Sequence, residues 1–143
     1  MMIRKHARGF TLVEVMIVVA IIALLAAIAI PNLLRARHNA NETAAIGAMH
    51  SLVAALESYR AAQTPPTYPA ALTDLSDADP AYVAADLTDG SNQGYDYAFN
   101  QTSAAEYDLT ASPTTDGVTG TRVFFVDQTG VIRLDDAAGA AIE

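Results

Sequence analysis

The chain of 143 residues contains no cysteine. Disulfides, cysteine-type zinc sites and thiol nucleophiles are therefore excluded, and the fold must hold by packing alone even in an oxidising compartment. Basic side chains are scarce beyond residue 60. Residues 61–143 have Arg122 and Arg133 against 13 acidic groups, a net charge of −11, whereas residues 1–60 carry +3. A surface so acidic repels a phosphate backbone, so no direct nucleic-acid binding is expected. No Ser/His/Asp set, phosphate-binding loop or paired-carboxylate site stands out, and there is no internal repeat. His38 and His50 lie twelve residues apart on one predicted helix, without a third ligand at coordinating spacing, and read as solvent-facing. These absences point away from an enzyme.

What is abundant is apolar, and it is unevenly placed. Every residue from Val15 to Ile30 is apolar, and Glu14 is the one charge between Leu12 and Ile30. Phe10 to Leu34, as a helix rising 1.5 Å per residue, is about 37 Å long. A bilayer core of about 30 Å is spanned by that length. Arg4, Lys5 and Arg8 precede the run, which orients the N-terminus to the cytoplasmic side and the acidic part outside. Arg35 and Arg37 follow it and weaken this bias without reversing it. A second reading is a secretory signal cleaved near Ala27-Ile28-Ala29, which would release a secreted soluble domain. The apolar stretch is longer than such signals usually have, and Glu14 at its start is out of place in one.

A third reading uses all the features together. The stretch Gly9-Phe10-Thr11-Leu12-Val13-Glu14 behind a short basic leader resembles the processing signal of type IV pilins and type II secretion pseudopilins. The resemblance is specific from Arg8 to about Arg37, including Pro31-Asn32-Leu33-Leu34, and looser along the soluble part. It implies cleavage after Gly9 by a prepilin peptidase, which then methylates the new amine of Phe10. It makes Glu14 and Pro31 assembly residues, with the helix unwound just before Pro31 in the polymer. It implies a structural subunit of a type IV pilus filament, with a major pseudopilin of a type II secretion system as the alternative. The partners implied are other copies in a homopolymer, the peptidase/methyltransferase, an inner-membrane assembly platform, and the membrane itself before assembly. The precursor would sit in the inner membrane and the product in an extracellular pilus or periplasmic pseudopilus.

Elementary electrostatics agrees with that reading. Cleavage would create a positive amine four residues before Glu14, too close to pair well within one helix but able to pair between staggered neighbours. A charge left alone in an apolar bundle costs several kcal/mol, and a good partner offsets much of it. The carboxylate thus specifies register and assembly.

The expected fold class is α+β: a long N-terminal helix packed on a small antiparallel sheet of three or four strands. The segments read as a leader (1–9), a transmembrane and filament-core helix (10–34), an amphipathic half of the same helix (35–63), a helix-to-sheet loop (64–94) and a sheet domain (95–143). Pro31 predicts a kink or melted turn at residues 27–31. Ala45, Ile46, Met49, Leu52, Val53, Leu56 and Tyr59 form one helical stripe, suited to cover a sheet. Gly47, on the polar side, suggests a close helix contact. Pro65 and Pro66 end the helix near residue 63, and a short helix is predicted over Pro69 to Leu75. Tyr95, Tyr97 and Phe99, then Tyr107, Leu109 and Ala111, alternate as strands do. Arg122 to Val126 and Val131 to Leu134 flank Asp127-Gln128-Thr129-Gly130 as a hairpin. The aromatic residues read as sheet core, and the tail from Asp135 as frayed. The family commonly closes this end with a disulfide loop, which a cysteine-free chain lacks.

Two smaller features complete the reading. Asp86, Asp89 and Asn92 are oxygen donors crowded near Gly90 and are the candidate calcium ligands, calcium being a feature of the soluble domain of major pseudopilins; their spacing fits no strict loop pattern. Otherwise no cofactor is expected. Asn41-Glu42-Thr43 and Asn100-Gln101-Thr102 fit the glycosylation sequon.

Overall fold

The structure is a computed structural model and describes residues 9–142. The leader reading, with Arg4, Lys5 and Arg8, therefore falls outside the described residues except for Gly9. One helix, α1 (Leu12–Ala62), begins the described fold. The chain divides into two compact units, one ending at Arg35 and one running from Ala36 onward.

In the first unit α1 is Leu, Ile, Val, Ala and Met apart from Glu14, Pro31, Asn32 and Arg35, and nearly all of it is open to solvent. Leu12, Val13 and the large apolar residues from Val15 to Leu34 are exposed, with Phe10 ahead of them at 87%. None of its most apolar stretch is buried within the chain. A soluble core helix would hide such a face, so this one is built for a dry environment that the monomer does not supply. Of the kink or melted turn expected at residues 27–31, the melted turn is not found: α1 is helical through Pro31. Proline deletes one hydrogen bond from the ladder, and the Ala-, Ile- and Leu-rich residues on both sides carry the helix across it.

In the second unit the predicted stripe is the buried one. Ala45, Met49, Leu52 and Leu56 are buried, Ile46, Val53 and Tyr59 pack partly, and Ala48 and Ala55 join them. Gly47 departs from expectation. It is exposed, and a Cβ placed there would touch nothing, so no close contact requires it. Instead it lines an open cleft of about 400 Å³ together with Ala44, Ser51, Asp86 and Asn92. Gly47→Ala should therefore gain stability, by about 0.5–1 kcal/mol from helix propensity and a less flexible unfolded chain. Thermal unfolding in detergent should show a midpoint about 1–4 °C higher.

The sheet is an antiparallel meander of five strands in chain order: β1 (Ser91–Asn92), β2 (Tyr95–Ser103), β3 (Glu106–Pro113), β4 (Phe124–Asp127) and β5 (Arg133–Leu134). Five strands replace the three or four expected, and the sheet starts before residue 95. The extra strand and the shortened β5 are each two residues, too few to show a period of two. Alternation holds where strands are long. Tyr95, Tyr97, Tyr107, Leu109, Ala111, Phe124 and Val126 are buried on one face. The predicted turn is present: Asp127 C=O accepts from Gly130 N–H at 2.9 Å, with Gly130 at φ 72°.

Two loop readings are corrected. The short helix is one turn, α2 (Thr73–Ser76), rather than Pro69 to Leu75; Asp74 Oδ2 accepts the Ala70 and Ala71 amides at 3.0 Å and holds the preceding turn non-helical. The tail is not frayed. Leu134 N–H donates to Ala140 C=O (3.0 Å), Ile142 N–H donates to Ile132 C=O (2.9 Å), and Ile142 packs on the core. Backbone pairing thus closes the end that the family often closes with sulfur.

Candidate functional site

The N-terminal stretch is built around a helix start. Thr11 is the residue before α1 and Glu14 lies three residues on. Glu14 Oε2 accepts the Thr11 amide at 2.9 Å and the Thr11 hydroxyl at 2.8 Å, while the Glu14 amide donates back to Thr11 Oγ1 at 3.2 Å. These reciprocal bonds form a capping box, which satisfies amide groups that a helix start leaves unpaired. Thr11 was missed as a site residue, although Thr-x-x-Glu ahead of an apolar run is the signature of such a cap. The box lies wholly after the Gly9–Phe10 bond, so cleavage there leaves it intact. Gly9 and Phe10 are exposed, as a peptidase requires. Both acceptor contacts use Oε2, and among the described residues Oε1 has no hydrogen-bond partner. One carboxylate oxygen thus caps its own helix and the other stays available to a cation. Pro31 lies on the exposed apolar helix.

A second polar centre was not foreseen. Glu42 is buried on α1, 4% exposed, and its Oε2 accepts from Arg122 Nη2 at 2.6 Å and Nε at 2.8 Å. Its Oε1 takes the Thr121 amide at 3.3 Å. Next to it, Asn41 Nδ2 donates to Thr119 C=O at 2.7 Å, and Tyr95 OH donates to Arg122 C=O at 2.9 Å. Burial pushes the Glu42 carboxyl up, but hydrogen bonds from Arg122 and the Thr121 backbone, with the Arg122 charge, outweigh it and hold it below its usual value. Burial, and then the Glu42 charge, push the Tyr95 phenol up to about 12, so it remains a donor. The sequence signal was the stripe itself, since residues 42, 45, 49, 52 and 56 share helical spacing. This group anchors the strand region to α1. It also commits the Asn41 amide, the first sequon, to a structural bond; Asn100 is exposed on β2.

The calcium candidates lie on three short consecutive elements. Asp86 lies in a single 3₁₀ turn (Ala85–Leu87), Asp89 in the following turn and Asn92 on β1. Asn92 Nδ2 donates to the Asp86 carbonyl at 3.3 Å, occupying an oxygen that a calcium ion would use. Among the described residues, no three His, Asp or Glu side chains converge as a metal site would need. His50 is exposed; His38 is half-buried with Nε2 unpartnered among the described residues.

Residues 4–30 match the family model of the prokaryotic N-terminal methylation motif. The chain is 50% identical over 56 residues to the type IV wide pilus major component PilA4 of Thermus thermophilus, covering 39% of this chain and 43% of that one. Its N-terminal segment is thus similar to those of type IV pilins and pseudopilins. It is 48% identical over 52 residues to the type IV major pilin protein PilA of Myxococcus xanthus (36% of this chain, 24% of that one). It is 39% identical over 57 residues to the type II secretion system core protein G of Pseudomonas aeruginosa (40% of each chain). The chain thus spans less than half the length of these curated relatives. No solved structure matches it. In pilin terms, the long helix with its capped start and the antiparallel sheet are the α+β fold that the resemblance implied.

Proposed function

We propose that this chain is a structural subunit of a type IV pilus filament, made as a membrane-anchored precursor, cut after Gly9 and methylated at Phe10. The observation that carries this reading is the methylation motif running into an apolar helix with no cover of its own. Such a surface is stable in two dry settings, a bilayer and a bundle of like helices, and the subunit passes from one to the other. The precursor stands with its N-terminus cytoplasmic. The prepilin peptidase, an inner-membrane assembly platform and other copies of the chain are its partners. Its work is assembly rather than catalysis, and its acidic unit keeps the polymer surface solvated.

A pseudopilin role is the second reading, favoured by the likeness to core protein G. Mass spectrometry of the mature subunit, with electron microscopy of sheared surface fibres, tests both. A methylated N-terminal Phe10 in long surface fibres supports the pilus. The same N-terminus with no surface fibre, and a unit whose melting point rises with calcium, supports the pseudopilus. An N-terminus near Ile30 ends both.

A further inference from the structure

The sheet protects one margin and leaves the other open. Beside β5 the returning tail pairs through Ala140 and Ile142. On the far side β1 covers only Tyr95 and Asp96 of β2, and the Gly90 carbonyl takes the Tyr97 amide at 2.8 Å. That bond fixes the direction of the strand. Odd-numbered residues of β2 aim their N–H and C=O away from β3, and even-numbered ones aim at it. Past Tyr97, the outward groups of Phe99 and Gln101 have no backbone partner among the described residues. Ala98, Asn100, Thr102 and Ser103 are exposed.

This edge is unguarded in composition as well. Natural sheets blunt such margins with lysine, proline or inward charge. Ala98-Phe99-Asn100-Gln101-Thr102-Ser103 has none of these, although residues 61–143 carry a net −11. Its far end is limited by a register shift between Gln101 and Ser103, which ends the straight stretch, and by the Thr67–Tyr68 segment, where the Tyr68 amide donates to Ala104 C=O at 3.1 Å and Gln101 Nε2 donates to Tyr68 C=O at 2.9 Å.

We infer that this edge pairs with the same edge of a second copy, antiparallel, about a two-fold axis at Asn100. In that register Phe99 of each copy lies opposite Gln101 of the other. Both are outward-facing, so the two pairs exchange four main-chain hydrogen bonds. Asn100 then faces Asn100 at the close, non-hydrogen-bonded position, where two neutral amides can bond each other. The charges permit a second copy here. Asp96 falls opposite Ala104. Asp108 is the β3 neighbour of Asn100, so the two Asp108 carboxylates lie three strand spacings apart, about 14 Å. That exceeds the Debye length of about 10 Å at 0.1 M salt. Contacts along a helical polymer are head-to-tail, whereas this one is self-complementary, so it joins subunits of different filaments.

A cysteine-free chain makes the test direct. Asn100→Cys and Ala98→Cys each supply one thiol on the same exposed face of β2. The proposed axis brings the two Asn100 Cα atoms to about 4.5 Å, within disulfide reach. It holds the two Ala98 positions four residues out of register, about 14 Å apart. Full-length chain in detergent micelles, oxidised and read on a non-reducing gel, should give dimer at least about tenfold faster from Asn100→Cys. Equal rates, a faster Ala98→Cys, or no dimer from either variant overturns the pairing.

Discussion

Glu14→Gln fibres should accumulate at less than about a tenth of the wild-type yield, while the subunit is still cut, methylated and held in the membrane. Glutamine keeps the carbonyl oxygen that caps Thr11, since the capping box accepts Gln in place of Glu, so α1 should start normally. What is lost is the charge. In a bundle of apolar helices the Phe10 amine would then be buried without a counter-ion, at a cost of about 3 kcal/mol. At about 1.4 kcal/mol per tenfold, that is roughly a hundredfold in subunit association. The comparison that separates charge from cap is Thr11→Ala. It removes the hydroxyl bonded to Glu14 but keeps the carboxylate, and should cost about 1 kcal/mol, a few-fold in yield. Immunoblots of sheared fibres, with mass spectrometry of membrane-held subunit, measure both. If Thr11→Ala is the more damaging, Glu14 acts by capping and the charge-pair role is wrong.

Arg122→Ala should lower the thermal midpoint by about 6–12 °C. The substitution leaves the Glu42 carboxylate buried with only Thr121 to accept from. Stranding a buried charge costs about 3–5 kcal/mol; Arg122 is itself half-exposed, which places the loss near 3 kcal/mol, and each kcal/mol is worth about 2–4 °C at this size. The pH dependence has a definite sign. The folded-state value of Glu42 lies below its ordinary one. Its contribution is therefore present above the unfolded value of about 4.3 and is lost as pH falls through the folded value. Circular-dichroism melts between pH 3 and 7 should show that acid-side loss in the native chain and a smaller one in Glu42→Gln. Equal acid sensitivity in both would remove Glu42 from the account.

The sequence made the long periods readable and left short ones hidden. The stripe from Ala45 to Leu56 and the alternation of Tyr95, Tyr97, Tyr107 and Leu109 are repeated often enough to declare helix and strand, and both are buried as their periods require. Ser91–Asn92 and Arg133–Leu134 are strands only because neighbours pair with them. The N-terminal methylation motif could be read because its residues are contiguous. Glu42 and Arg122 are eighty residues apart, and nothing local in either announces the other. Thr11 was legible and overlooked, because Glu14 drew attention as an isolated charge rather than as half of a cap. Pro31 leaves the helix unbroken for a physical reason: one missing bond weakens a helix without melting it when the flanking residues favour helix strongly.

A sheet whose spatial order is its chain order also has a temporal meaning. Each strand meets its neighbour across a short connection, so the loops to be closed are small and contacts form early. The Glu42–Arg122 tie is of the opposite kind, since among the described residues it joins the most distant pair of any side-chain hydrogen bond, eighty positions apart. A contact made after the rate-limiting barrier governs escape from the native state more than arrival in it. The ion pair is thus a latch on a meander that forms without it, and its loss shortens the lifetime of the folded unit more than it delays folding.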